Sequence, residues 1–211
     1  MTTYGLYISL RQYFSEEIGS AFDRHVIACI FSIAASESSA TGSLAVSLGM
    51  SGAELREAIN YFFPDAISLL ETHGLDAEVK LEEDELCLRE LLKRNRTYKN
   101  KFSEILVALM ARRASRTNHL WQDLGLENRG ELGALMKTHF GSLARRNRND
   151  MKWKKFFFRM ICSDANFSLC TAPSCKECND FDNCFGDESG ESLFARTLNG
   201  PQMLMQLPVL A

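Results

Sequence analysis

The chain has 211 residues, 45% hydrophobic and 24% charged, a composition that excludes disorder along its whole length and allows one substantial core. Its net charge of −3 conceals a segregation: residues 1–92 carry 5 Lys+Arg against 15 Asp+Glu, residues 93–159 carry 17 against 5, and residues 160–211 carry 2 against 7. The longest apolar run near the start, Val26 to Phe31, falls far short of the roughly 20 residues of a membrane span. Met1 to Phe14 also lacks the basic start, apolar middle and small-residue cleavage site of a signal peptide. The expected location is therefore the cytoplasm, where thiols stay reduced, and an odd number of cysteines argues against a disulfide framework.

In chain order, Phe14 to Ala35 places Ile18, Phe22, Val26, Cys29, Ile30 and Ile33 near a 3.6-residue repeat, which predicts a buried helix face with Ser15 at its cap. Cys29 on that stripe reads as a core residue. Ser51-Gly-Ala-Glu54 fits a capping box and precedes Leu55, Ala58, Ile59 and Phe62, so a second helix is expected to end near Pro64. Helical signals resume over Asp65–Thr72 and Glu82–Lys93, the latter with Leu88, Leu91 and Leu92 on one face and Cys87 close to it, expected as core. Lys101–Arg116 is strongly amphipathic, Asn128 to Glu131 opens a further helix in capping fashion, and Met151–Cys162 reads as the last helix. No alternating stretch is long enough for a sheet. The fold class expected is all-α: an irregular helical domain over residues 1–169, acidic over 1–92 and basic over 93–159. A cysteine-rich metal-binding loop over 170–186 and a flexible tail over 187–211 would follow.

The loop is the chemically loaded part. Cys170, Cys175, Cys178 and Cys184 fall in a C-x4-C-x2-C-x5-C run, and soft thiolates that close together select zinc, Cu(I) or iron–sulfur clusters. Structural zinc sites usually separate two tight ligand pairs by a dozen or more residues, and this run has one tight pair. Its first three cysteines reproduce the opening of the plant-type ferredoxin pattern, and staggered gaps suit the corners of a cluster. Adventitious thiols in a surface loop would be an oxidation liability. Cys162, His119 and His139 are candidate accessory ligands, each with a structural alternative. His25 and His73 show nothing that sets them apart.

Several segments together resemble the NifQ family: Asn118-His-Leu-Trp-Gln-Asp-Leu-Gly-Leu126, Asp150-Met-Lys-Trp-Lys-Lys-Phe-Phe157, and the cysteine run followed by Phe185-Gly186. Ala111-Arg-Arg113 and the run ending at Phe140 agree as well. The resemblance is densest over residues 103–186. Where the family pattern has Pro after His-Phe and Tyr before Arg, this chain has Gly141 and Phe158.

The resemblance implies a molybdenum carrier of nitrogen fixation. Such a protein holds a molybdenum–iron–sulfur cluster, assembled from an iron–sulfur precursor and molybdate, on Cys170, Cys175, Cys178 and Cys184. It passes molybdenum to the NifEN scaffold together with NifH for building the nitrogenase iron–molybdenum cofactor. The basic segment would offset cluster charge, attract molybdate or dock an acidic partner, with Lys152, Lys154, Lys155 and Arg159 nearest the loop. No glycine-rich nucleotide loop or nucleophile–base set points to an enzyme. The alternatives are an iron–sulfur electron carrier, or a zinc or iron–sulfur protein that binds nucleic acid through the basic segment. Against the last, the aromatic residues sit at helical core spacing and no helix-turn-helix signature stands out.

Overall fold

The computed structural model describes residues 1–164 and 181–193, and within them the regular structure is entirely helical, with no strand. The helices are α1 (Thr3–Tyr13), α2 (Ala21–Thr41), α3 (Leu44–Leu48), α4 (Gly52–Phe62), α5 (Ile67–Glu71), α6 (Glu83–Arg94), α7 (Lys101–Ala114), α8 (Leu120–Asp123), α9 (Arg129–His139), α10 (Gly141–Arg146), α11 (Trp153–Asp164) and α12 (Phe181–Phe185). No helix among the described residues is long and apolar enough to cross a membrane.

Helix α2 is the axis of the core. Val26 to Phe31 and Ile33 to Ala35 are all buried, on every side of the helix and not on one stripe. A helix that is apolar all round must be enclosed, and α1 and α3 pack directly against α2. Helix α7 lies against α3, α6 and α8, and α11 lies against α6. Five phenylalanines knit the acidic half to α7: the ring centroids of Phe14 and Phe63 lie 5.1 Å apart, Phe31 and Phe63 5.2 Å, and Phe62 and Phe102 5.6 Å. Most of these contacts are edge-on, as the ring quadrupoles favour.

The single helix expected from Phe14 onward is two elements. Phe14 ends α1, and α2 begins at Ala21 under Ser20, not under Ser15. The Ser20 hydroxyl accepts from the Asp23 amide at 3.1 Å while the Asp23 carboxylate accepts from the Ser20 amide at 2.8 Å. This is a capping box with aspartate in the role usually filled by glutamate, and Gly19, at φ 66°, supplies the reversal before it. The Ser51–Glu54 box and the Asn128 cap form as expected. Cys29 is buried as expected, with its thiol pushed up by burial and by the nearby Glu131 carboxylate. Cys87 is exposed, contrary to expectation, because α6 turns Leu88, Leu91 and Leu92 inward and leaves the preceding position outside.

Candidate metal centre

Of the four thiolates in the cysteine run, Cys170, Cys175 and Cys178 lie outside the described residues. Cys184 lies within them, half-buried on α12 and packed with Phe185 against the core. The final cysteine therefore sits on a turn of helix, where a plain loop was expected. Among the described residues no three His, Cys, Asp or Glu side chains converge on one metal position.

What the structure establishes is how Cys184 is held. The Lys152 amide donates to the Cys184 carbonyl at 2.8 Å, and the Lys152 ammonium donates to the Asp182 carbonyl at 2.9 Å. One residue at the mouth of α11 thus pins α12 twice. The Gly186 amide also donates to the Asp182 carbonyl at 2.8 Å. A Cβ on Gly186 would lie only 2.4 Å from that oxygen, so the turn closes only with glycine.

Helix α11 is itself anchored deep in the protein. Its Lys154 is largely buried and donates at 2.5 Å both to the Asp123 carboxylate and to the Arg116 carbonyl. Burial pushes the Lys154 ammonium down from its usual range, and Asp123 opposes that shift. Asp123 also accepts from the Asn118 amide at 3.0 Å through its side chain and from the Arg113 Nε at 2.6 Å through its carbonyl. Arg113 is 0% exposed and grips Glu37 of α2 in a two-pronged pair at 2.7 and 2.8 Å. The planar guanidinium suits that fork as an ammonium would not. One polar chain thus runs from the central helix through α7 and α8 to α11, whose mouth holds Cys184.

Residues 187–193, expected to begin a flexible tail, lie against this framework. The Glu188 side chain is 5% exposed and takes Arg129 and, at 3.2 Å, His119 Nδ1 as partners. Gln122 donates to the Glu191 carbonyl at 2.8 Å. The rest of the expected tail lies outside the described residues.

The candidate accessory ligands separate clearly. His139 is 5% exposed, shares a 2.7 Å hydrogen bond with Asp23 and stacks on Phe102, so it joins α9 to the start of α2. It is a core residue. His119 caps α8 and is partly open, and burial followed by Lys152, Lys154 and Arg129 lowers its affinity for a proton. That direction favours the neutral imidazole, the state that ligates metals. Cys162 is half-exposed on α11. His25 bridges Tyr7, at 2.9 Å, and Glu131, at 3.4 Å, while His73 meets Ser38 at 3.1 Å.

The cations nearest the loop also divide. Lys152 and Lys154 are internal braces, while Lys155 and Arg159 face solvent. The sequence reading missed the Glu37–Arg113–Asp123–Lys154 chain, because its members come from four helices. It also missed Glu188, hidden in a stretch that looks like an ordinary acidic tail.

A family model for NifQ matches residues 26–186, from within α2 to the glycine that closes α12. The chain belongs to the NifQ family. The protein NifQ homolog of Sinorhizobium fredii (strain NBRC 101917 / NGR234) is 40% identical over 175 residues, covering 81% of this chain and 75% of the relative. The protein NifQ of Rhodobacter capsulatus is 38% identical over 148 residues, covering 70% of this chain and 80% of the relative. That of Azotobacter vinelandii is 45% identical over a shorter 71 residues, 34% of this chain and 36% of the relative. No solved structure matches the chain significantly. The NifQ match takes in all four cysteines and the two segments, Asn118–Leu126 and Asp150–Phe157, that supply the bracing of Cys184.

Proposed function

We propose that this NifQ-family chain carries molybdenum within a molybdenum–iron–sulfur cluster held by Cys170, Cys175, Cys178 and Cys184. In this reading it delivers the metal for assembly of the nitrogenase iron–molybdenum cofactor, to a NifEN scaffold acting with NifH. Family membership supports the connection with nitrogen fixation. The observation that carries the reading is that the matched region includes the whole C-x4-C-x2-C-x5-C run and stops at Gly186, two residues after the last thiol.

The donor set fits such a cargo. Thiolates bind iron and molybdenum sulfide centres in preference to hard cations. Lys152 holds the last ligand's backbone and puts a positive charge beside the site, which favours the thiolate form of a nearby cysteine. A neutral His119 with Nδ1 directed at Glu188 repeats the carboxylate–histidine arrangement that readies the opposite ring nitrogen for a metal. We assign it the accessory role, and His139 none. The chain acts as a carrier in the cytoplasm and performs no turnover of its own.

Anaerobic purification with iron, molybdenum and zinc analysis and electron paramagnetic resonance tests the proposal. Iron and molybdenum together are expected, both lost when the four cysteines become serine. Stoichiometric zinc without iron would overturn it. Iron that never accompanies molybdenum would favour an electron carrier.

A further inference from the structure

A cleft of about 320 Å³ opens where the α10–α11 connection meets α11 and α12. Arg146, Arg148 and Arg159 line it above a floor that includes Phe156 and Phe185, and among the described residues no Asp or Glu side chain lines it. Asp150, the carboxylate closest in sequence to the arginines of the connection, pairs at 2.9 Å with Arg129. Among the described residues, no carboxylate pairs with Arg146 or Arg148.

The guanidinium groups of Arg146 and Arg148 at one small opening repel each other, and an apolar floor reduces the water available to screen them. The helix dipole accounts for Arg146, in the last turn of α10. It does not account for Arg148, beyond the helix end. Guanidinium groups present planar forks of donors that match the edges of tetrahedral oxyanions, and several around one opening can reach different oxygens of one ion. Phe185 in the floor directly follows Cys184, so the cleft wall lies one residue along the chain from the last cysteine of the run.

We propose that this cleft is a receiving site for a tetrahedral oxyanion, held by Arg146 and Arg148 in an opening that Arg159 also lines, one residue along the chain from Cys184. Oxyanion binding at these arginines stands on the cleft alone. The choice of molybdate as the ion that matters rests on the carrier reading above. The site takes the ion in before any thiolate engages it and does not require the cysteines. Molybdate, tungstate, sulfate and phosphate share the recognisable chemistry, and the arms of the test tell them apart.

The test is equilibrium dialysis of the full-length chain at low salt with each of the four anions. The proteins compared are the parent, the four-cysteine-to-serine variant, the triple variant R146Q/R148Q/R159Q and the single variant R148Q. Saturable binding is expected in the parent and undiminished in the serine variant. A loss of at least tenfold is expected in the triple variant and a smaller loss in R148Q, which keeps the floor intact. Equal affinity in the parent and both arginine variants would overturn the site, as would the absence of saturable binding of any of the four. Preference for molybdate or tungstate over sulfate supports a metal-supply role for the cleft; preference for phosphate or sulfate overturns that role. The two proposals fail separately. A zinc-only protein with arginine-dependent binding loses the carrier reading alone, and a fully iron-loaded protein whose binding ignores the arginines loses the cleft alone.

Discussion

Two groups of basic residues come from one stretch of sequence and meet opposite fates. Arg113, Lys154 and Arg129 each meet a carboxylate, in Glu37, Asp123 and Glu188. Arg146, Arg148 and Arg159 line a cleft that no carboxylate among the described residues lines. In the first group the charge is consumed in bracing the fold; in the second, Arg146 and Arg148 meet no carboxylate among the described residues. The excess of 17 Lys+Arg over 5 Asp+Glu in residues 93–159 therefore overstates the positive field offered to a partner. Part of it balances acidic residues of the first half, such as Glu37 and Glu85, the latter meeting Arg112 at 3.1 Å. This weakens the nucleic-acid reading, which needs the cations free to meet phosphates.

The comparison breaks most severely at Arg113. Replacing it with Ala leaves the partly buried Glu37 with only the longer Arg116 contact at 3.7 Å and strands the Asp123 carbonyl, and removing one member of a buried pair costs about 3 kcal/mol or more. For a domain of this size that corresponds to a fall of roughly 6–12 °C in Tm, read by calorimetry. The same change at Arg148 is expected to leave Tm almost unmoved. Equal losses at the two positions would mean that the division into structural and available cations is wrong.

A more local effect is expected at Gly186. Its replacement by Ala drives a methyl into the Asp182 carbonyl, and overpacking of this kind costs about 1–3 kcal/mol. The damage falls on α12, so iron content is expected to drop while the core melts near its usual temperature. Full iron loading in G186A would show that the geometry around Cys184 is irrelevant to the cluster.

The pattern of hydrophobic residues carried most of the large helices. α4, α6, α7, α9 and α11 lie within a few residues of where periodicity and caps place them, because each presents an amphipathic face. The pattern failed at α1, whose start under Thr2 and end at Phe14 were obscured when Phe14 was joined to the next apolar run. It failed also at the five- and six-residue helices α3 and α10, too short to show a period. The cysteine run stands out in the sequence because its four members fall between residues 170 and 184. The chain from Glu37 to Lys154 was not, since it spans 117 residues and depends on which helices pack together. Nothing in the spacing of Arg146, Arg148 and Arg159 marks a cleft; only the fold brings α10, α11 and α12 to one place.

Acid is the next way to sharpen the contrast, because it discharges carboxylates and leaves the arginines untouched. Burial tends to raise the Asp23 carboxyl, but the His139 hydrogen bond and the Ser20 cap outweigh it and hold it below its ordinary 3.8. The hydrogen bond from His25 does the same for Glu131, and the Ser51 cap for Glu54, both below 4.5. A depressed folded-state value means the unfolded chain takes up protons first. The stability these groups contribute is thus present above about pH 4.5 and lost as pH falls through the depressed values. Urea midpoints between pH 5.5 and 3 are expected to decline, and less steeply in D23N. An unchanged slope in D23N would remove Asp23 from the account.

The smallest change in stability is expected at the cleft itself, and its sign is informative. An exposed arginine away from caps and cores normally affects stability by no more than about 0.5 kcal/mol. Here Arg146 and Arg148 share one opening, so R148Q relieves repulsion and Tm is expected to hold or rise slightly. Anions reverse the ranking. A ligand that binds only the folded chain stabilises it by about 2.7 kcal/mol at a hundred times its Kd, so sulfate or molybdate is expected to lift the parent's Tm by several degrees. The R146Q/R148Q/R159Q variant, lacking the forks, is expected to gain much less at the same ionic strength set with chloride. A parent and triple variant that gain equally would place the anion elsewhere, on cations that the fold has already paired.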